Sequence, residues 1–125
     1  MTNAEVRLWY HQRVKDIGRL VRDLRQRGVA VREVAQLAWR LRRSAVQEAR
    51  GQMGNADDVE VLRMRNLAKY ADPDGPSFEY VVERARERRL TGDDVYEEVI
   101  RSALRTDPVT NLRVLGANSP PTGNP

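Results

Sequence analysis

Asp72, Asp74, Ser77 and Glu79 fall in one short segment, DPDGPSFEY at 72–80. Carboxylates and a hydroxyl placed so close together are the parts of an acid–base site. Arg65 and Lys69 lie one turn apart on the helix expected before this segment, so cations and carboxylates converge on the turn. Asp74 or Glu79 moving a proton, with arginine and lysine neutralising a developing phosphorane, fits phosphodiester cleavage. The same residues also fit a helix start, with an aspartate as cap and surface ion pairs around it.

Other chemistries fail on spacing. Asp72, Asp74 and Glu83 match the first, third and last ligands of a calcium loop, but Ser77 stands where that loop needs glycine and Pro76 where it needs a side-chain oxygen. Gly75-Pro76-Ser77-Phe78-Glu79 has glutamate in place of the last glycine of a serine-nucleophile elbow. There is no phosphate-binding glycine loop of either common type. With no cysteine and a single histidine, His11, the chain has no thiolate or histidine-cluster metal site and no disulfide. No metal and no cofactor are expected.

A second group of residues is basic. Arg40, Arg42, Arg43 and Arg50 cluster beside Trp39, a set that can grip phosphates and offer an aromatic face for stacking. Trp39 also lies at the edge of an apolar stripe, which fits partial burial instead. The background is strongly basic and nearly all arginine, with only Lys15 and Lys69 as lysines among 22 basic residues. Residues 1–50 hold 12 basic and 5 acidic side chains, a net of +7, against −3 for the remainder. Arginine's planar fork suits phosphate and carboxylate, so the front half is matched to an anionic partner: RNA, DNA or an acidic protein. A decorated, solvated set of helix faces is the plainer reading of the same charges.

These residues must be positioned by helices. Val6, Tyr10, Val14, Ile17, Val21 and Leu24 recur at spacings of three and four after a capping Asn3, and predict a first helix ending near Gly28 with a kink at Gly18. Val34, Ala38, Leu41, Ala45, Ala49 and Met53 predict a second, antiparallel to the first. Asn55 and Asp58 restart a third, with Val59, Leu62 and Leu67 inward and Tyr70 at its end. A fourth has Pro76 in its first turn, capped by Asp74 or Gly75, with Phe78, Val81, Val82 and Ala85 on its core face. Thr91-Gly92-Asp93-Asp94 resembles a capping box opening a fifth, and Asp107-Pro108 a short sixth to about Leu115.

The expectation is therefore an all-α, single small domain of five to six helices over 1–116, starting with a long antiparallel helical hairpin. A disordered tail at 117–125 would follow it. No apolar run approaches the roughly 20 residues that span a bilayer, and no export signal is present, so a cytoplasmic protein with no membrane partner is expected.

The segment from Leu62 to Asp107 resembles a pattern near the C-termini of bacterial polymorphic toxins of the Rhs and filamentous-haemagglutinin type. The residues that carry the likeness are Lys69-Tyr70, Asp74-Gly75-Pro76, Phe78-Glu79, Leu90-Thr91-Gly92-Asp93, Tyr96, Ile100, Ser102 and Arg105-Thr106. The stretches LWYHQRVKDI and QEARGQM extend it over most of residues 8–107. Modules of that family are short effector domains carried by a large delivery protein and neutralised by an immunity partner. Their activities include nucleases, deaminases, ADP-ribosylating enzymes and pore formers; the missing Cys and His ligands remove the zinc deaminases, and the short apolar segments remove the pore formers. The chain starts with its own Met1, as an orphan cassette, a trimmed piece or a domesticated relative would.

The resemblance implies an effector domain of interbacterial competition, with metal-independent nuclease activity as the candidate reaction. Arg65, Lys69, Asp74, Glu79 and Arg105 are its candidate site residues. The alternative is a non-enzymatic, arginine-rich helical module that binds nucleic acid or an acidic protein through Trp39, Arg40, Arg42, Arg43 and Arg50. The expected partners are an immunity protein and RNA or DNA.

Overall fold

The computed structural model describes residues 3–52 and 56–105, and five helices form within them without any strand. They are α1 (Asn3–Gln26), α2 (Val31–Gly51), α3 (Ala56–Tyr70), α4 (Phe78–Glu87) and α5 (Asp93–Ala103). The all-α expectation holds, and so does the opening hairpin. Met53, Asn55, the sixth helix and the tail lie outside the described residues, as do the side chains of Asn3, Asp58, Val59 and Leu62.

The hairpin follows from two matched stripes. Val6, Tyr10 and Val14 pack on Ala45, Val46 and Ala49, while Ile17 and Val21 pack on Val34, Ala35 and Ala38. Early residues of α1 thus meet late residues of α2, which makes the pair antiparallel, and the alanines of α2 let the backbones approach. Gly28 supplies the left-handed residue that ends α1, at φ 80°, with Val29 N–H bonding to Leu24 O at 3.1 Å. The expected disturbance at Gly18 leaves α1 unbroken, because the stripe continues across it and Gly18 sits buried beneath Leu104.

α5 and α4 close the other side of α2, and Val82, Ala85, Val95, Val99, Ile100 and Ala103 complete the larger core cluster. Arg42 is buried with them, 3% exposed, and its Nη1 donates to the carbonyls of Ser102, Ala103 and Arg105 at 2.8, 3.0 and 3.1 Å. A cation at the C-terminal end of α5 satisfies carbonyls that the helix leaves open and opposes the negative end of its dipole.

Two helix starts differ from the sequence reading. Ser77, rather than Asp74 or Gly75, is the N-cap of α4; its hydroxyl accepts from Tyr80 N–H at 3.1 Å. The helix begins at Phe78, two or three residues later than those caps would place it, so Pro76 lies outside it and fixes the chain entering the cap. Gly92 is the N-cap of α5 at φ 56° with no side-chain hydrogen bond, so Thr91-Gly92-Asp93-Asp94 is not a capping box. Thr91 contributes its carbonyl, which accepts from Asp94 N–H at 3.1 Å.

Candidate functional site

The segment 72–80 is held against α2 by two ion pairs and a hydrogen bond, and against α3 by a hydrogen bond and the edge-on packing of Tyr70 on Tyr80. Arg43 pairs with Asp72, and Arg50 pairs with Asp74. Trp39 Nε1 donates to Pro76 O at 3.0 Å, and Asn66 Nδ2 to Pro73 O at 3.1 Å. Asp72 Oδ1 also accepts from Asp74 N–H at 2.8 Å, the aspartate-stabilised turn that local sequence favours, and Gly75 completes it at φ 96°. The turn is therefore a clasp: its acidic side chains neutralise arginines of a helix more than twenty residues earlier.

This arrangement sorts the residues singled out from sequence. Trp39 is 4% exposed and belongs to the core, with its indole N–H committed to Pro76, so it presents no face for a base to stack on. Arg42 is buried and committed to the end of α5, which removes it from any phosphate-binding patch. Both corrections have one cause. The α2 stripe is wider than its alanines suggest, and α4 and α5 cover the side on which Trp39 and Arg42 stand. Arg43 and Arg50 are accessible only in part and are charge-compensated by the clasp. Arg40 alone of that set is exposed and without an ion pair among the described residues.

Of the acid–base set, Asp74 and Glu79 line the same groove. It is an open, polar depression of about 500 Å³ between α2 and the start of α4, where Arg40, Arg43, Asp74 and Glu79 meet Gln36, Ser44 and Gln47. Glu79 is exposed and, like Arg40, forms no ion pair among the described residues. Arg65 and Lys69 are exposed on α3, where Lys69 lies over the ring of its neighbour Tyr70 at 5.2 Å; neither lines the groove. Arg105 is exposed at the far end of α5, beyond the groove, and its carbonyl serves Arg42. The two candidate sets thus meet in part, as Arg40 and Arg43 opposite Asp74 and Glu79.

Gln36, Ser44 and Gln47 were not singled out from sequence. The signal was present: Gln36, Arg40, Arg43, Gln47 and Arg50 recur at spacings of four, three, four and three, a polar stripe along one face of α2. Its amides, guanidinium and hydroxyl are donors suited to oxyanions, and the amides can also read a base edge. Among the described residues, no group of three or more His, Cys, Asp or Glu is gathered as metal ligands, and no helix is long and apolar enough to cross a membrane. No protein family, no characterised protein and no solved structure matches the chain.

Proposed function

We propose that the domain binds nucleic acid, with the α2–α4 groove holding a phosphodiester segment. The observation that carries this is Arg40: an exposed guanidinium with no ion pair among the described residues, set on a row of amide and hydroxyl donors in a groove whose other arginine, Arg43, is already paired with Asp72. A guanidinium so placed forms bidentate bonds to a phosphate, and the surrounding amides fix the strand's position. The basic front half of the chain adds long-range attraction. The resemblance to toxin cassettes supplies the setting, an effector delivered against a competing bacterium and restrained by an immunity protein.

The test is titration of a labelled single-stranded RNA and of a labelled DNA duplex at about 50 mM and 200 mM salt. Binding should fall steeply with salt, and Arg40→Ala should weaken it at both concentrations. No binding at the lower salt, or binding indifferent to salt, overturns the reading.

Cleavage of the bound strand is the second reading, favoured by Glu79. This exposed carboxylate shares the groove with Arg40 and is free of any ion pair among the described residues, whereas Asp74 is held by Arg50. A carboxylate there takes the proton of an attacking hydroxyl while Arg40 stabilises the phosphorane; the opposite P–O ester bond then breaks, and the departing alkoxide takes its proton from water in the open groove. Glu79→Gln should then abolish cleavage and toxicity in a bacterial cytoplasm while binding persists. Unimpaired growth with soluble wild-type protein present would leave binding alone.

A further inference from the structure

We infer that a second nucleic-acid contact runs along α1, on a face separate from the groove; this rests on the reading above and extends it from one phosphate to a length of backbone. At about 100° per residue, Arg7, His11, Lys15, Arg19, Arg22 and Arg25 fall within an arc of roughly 120° on this helix. No aspartate or glutamate of α1 lies in that arc; Glu5, Asp16 and Asp23 are beyond its edge. Arg25 is tied to Glu97 of α5 at 2.5 Å and Arg19 to Asp16, which leaves Lys15 and Arg22, both exposed, without an ion pair among the described residues. Arg7 extends the same charge toward the N-terminal end.

The arc is also shaped. His11, Lys15, Arg19 and Arg22 rim a shallow depression of about 410 Å³ floored by Val14, Gly18 and Leu104. Gly18 places no side chain here, and a Cβ at this position would sit 3.9 Å from Leu104 Cδ2, so the floor stays low between the cations. From Arg7 to Arg22 the cations Arg7, Lys15, Arg19 and Arg22 span about 22 Å along the helix axis, with His11 between the first two. A duplex strand presents a phosphate about every 3.4 Å, so a strand laid along the helix passes several phosphates within reach of this run. A run of cations with no carboxylate of the same helix among them suits a polyphosphate better than an acidic protein, whose charges are of mixed sign and irregular spacing. The apolar face of α1 is occupied by α2, and of the large apolar side chains left exposed on this helix, Leu8 and Leu20, only Leu8 falls in the arc, too little apolar surface to seat the helix in a lipid layer.

Lys15→Ala/Arg22→Ala tests the assignment, because both side chains are exposed and alanine favours the helix. The titrations are those described for the groove, repeated across a salt series with circular dichroism to follow folding. The double variant should bind the duplex more weakly and with a log–log salt slope shallower by about 2, one for each lost phosphate contact. Arg40→Ala should retain the contribution of Lys15 and Arg22. If the wild type binds and the double variant keeps both affinity and slope, the α1 contact is wrong while the groove stands. If the wild type binds no nucleic acid, the groove reading and this one fail together. If the wild type instead co-sediments with phosphatidylserine vesicles and this alone is lost in the double variant, the face is a membrane contact and the assignment is overturned.

Discussion

Arg50, in the last turn of α2, donates from Nη2 to Asp74 Oδ1, and the pair joins the end of one helix to the turn that starts another, 24 residues on. Their side chains are 11% and 19% exposed, so each would be left poorly solvated without its partner. Either Asp74→Ala or Arg50→Ala should cost about 1–3 kcal/mol in urea unfolding, and the double variant should cost less than the two together, by about 1 kcal/mol or more. Strict additivity would mean that the clasp is held by Arg43, Trp39 and Asn66 without help from this pair.

Capping is a separate quantity. Ser77→Ala removes the bond to Tyr80 N–H and should lower stability by about 1 kcal/mol, whereas Ser77→Asp keeps an acceptor at the N-terminal end of α4 and should lose little. Asp74→Asn tests the ion pair rather than the cap, so its effect should largely vanish in an Arg50→Ala background. Thermal unfolding of these variants, with Arg50→Ala as the reference for the double one, separates the roles; a full effect of Asp74→Asn without Arg50 would mean that the carboxylate acts through a contact other than this pair, since Asn caps as well as Asp.

The helices were legible because each carries a three–four apolar stripe, a local property that survives in any context. The role of the 72–80 turn was legible only in its local half: proline, glycine and aspartate announce a turn and a helix start. Which side chains the aspartates meet depends on how α2 packs against α4, and nothing near Asp72 or Asp74 in sequence points to Arg43 or Arg50. Arg42 was misread for a related reason, and of the two readings of Trp39 it is burial at the stripe's edge that holds. An aromatic beside arginines reads as a surface patch until two later helices are laid over it. The cap of α4 was assigned to Asp74 or Gly75; Ser77 takes it because it directly precedes the apolar face of the helix and its hydroxyl reaches Tyr80 N–H.

Glu98 gives the fold a dependence on acid. Arg88 Nη2 lies 2.8 Å from its Oε2 and Arg101 Nη2 2.9 Å from its Oε1, and the hydrogen bond from Arg88, aided by the one from Arg101, holds the carboxyl below the ordinary glutamate range despite partial burial. A carboxyl whose folded pKa is depressed adds stability that is present above its unfolded pKa, about 4.3, and is lost as pH falls through the folded value. Glu97, lowered by its hydrogen bond with Arg25, acts in the same direction. Glu98→Gln should therefore be less stable than the wild type at neutral pH, with the gap closing below pH of about 4. Urea titrations at neutral and acid pH measure it; a gap that is constant or widens on acidification would assign the effect to packing.

Arg42 separates a buried structural cation from a ligand-binding one. Its Nη1 serves three carbonyls at the end of α5, and its guanidinium lies over Trp39 at 5.3 Å from the ring centre. Arg42→Met keeps much of the packing but leaves those carbonyls without their donor, at a cost of about 3 kcal/mol or more. Arg42→Lys retains the charge without the planar fork and should fall between. Because Arg42 is buried, both variants should lower the unfolding midpoint while nucleic-acid affinity and its salt slope, measured on the folded fraction, stay at wild-type values. Arg40→Ala should do the reverse, weakening binding with little change in stability, since that side chain is exposed and has no ion pair among the described residues. If Arg42→Lys folds as stably as the wild type yet loses binding, then α5 must move aside for the ligand, and the buried arginine belongs to the binding surface after all.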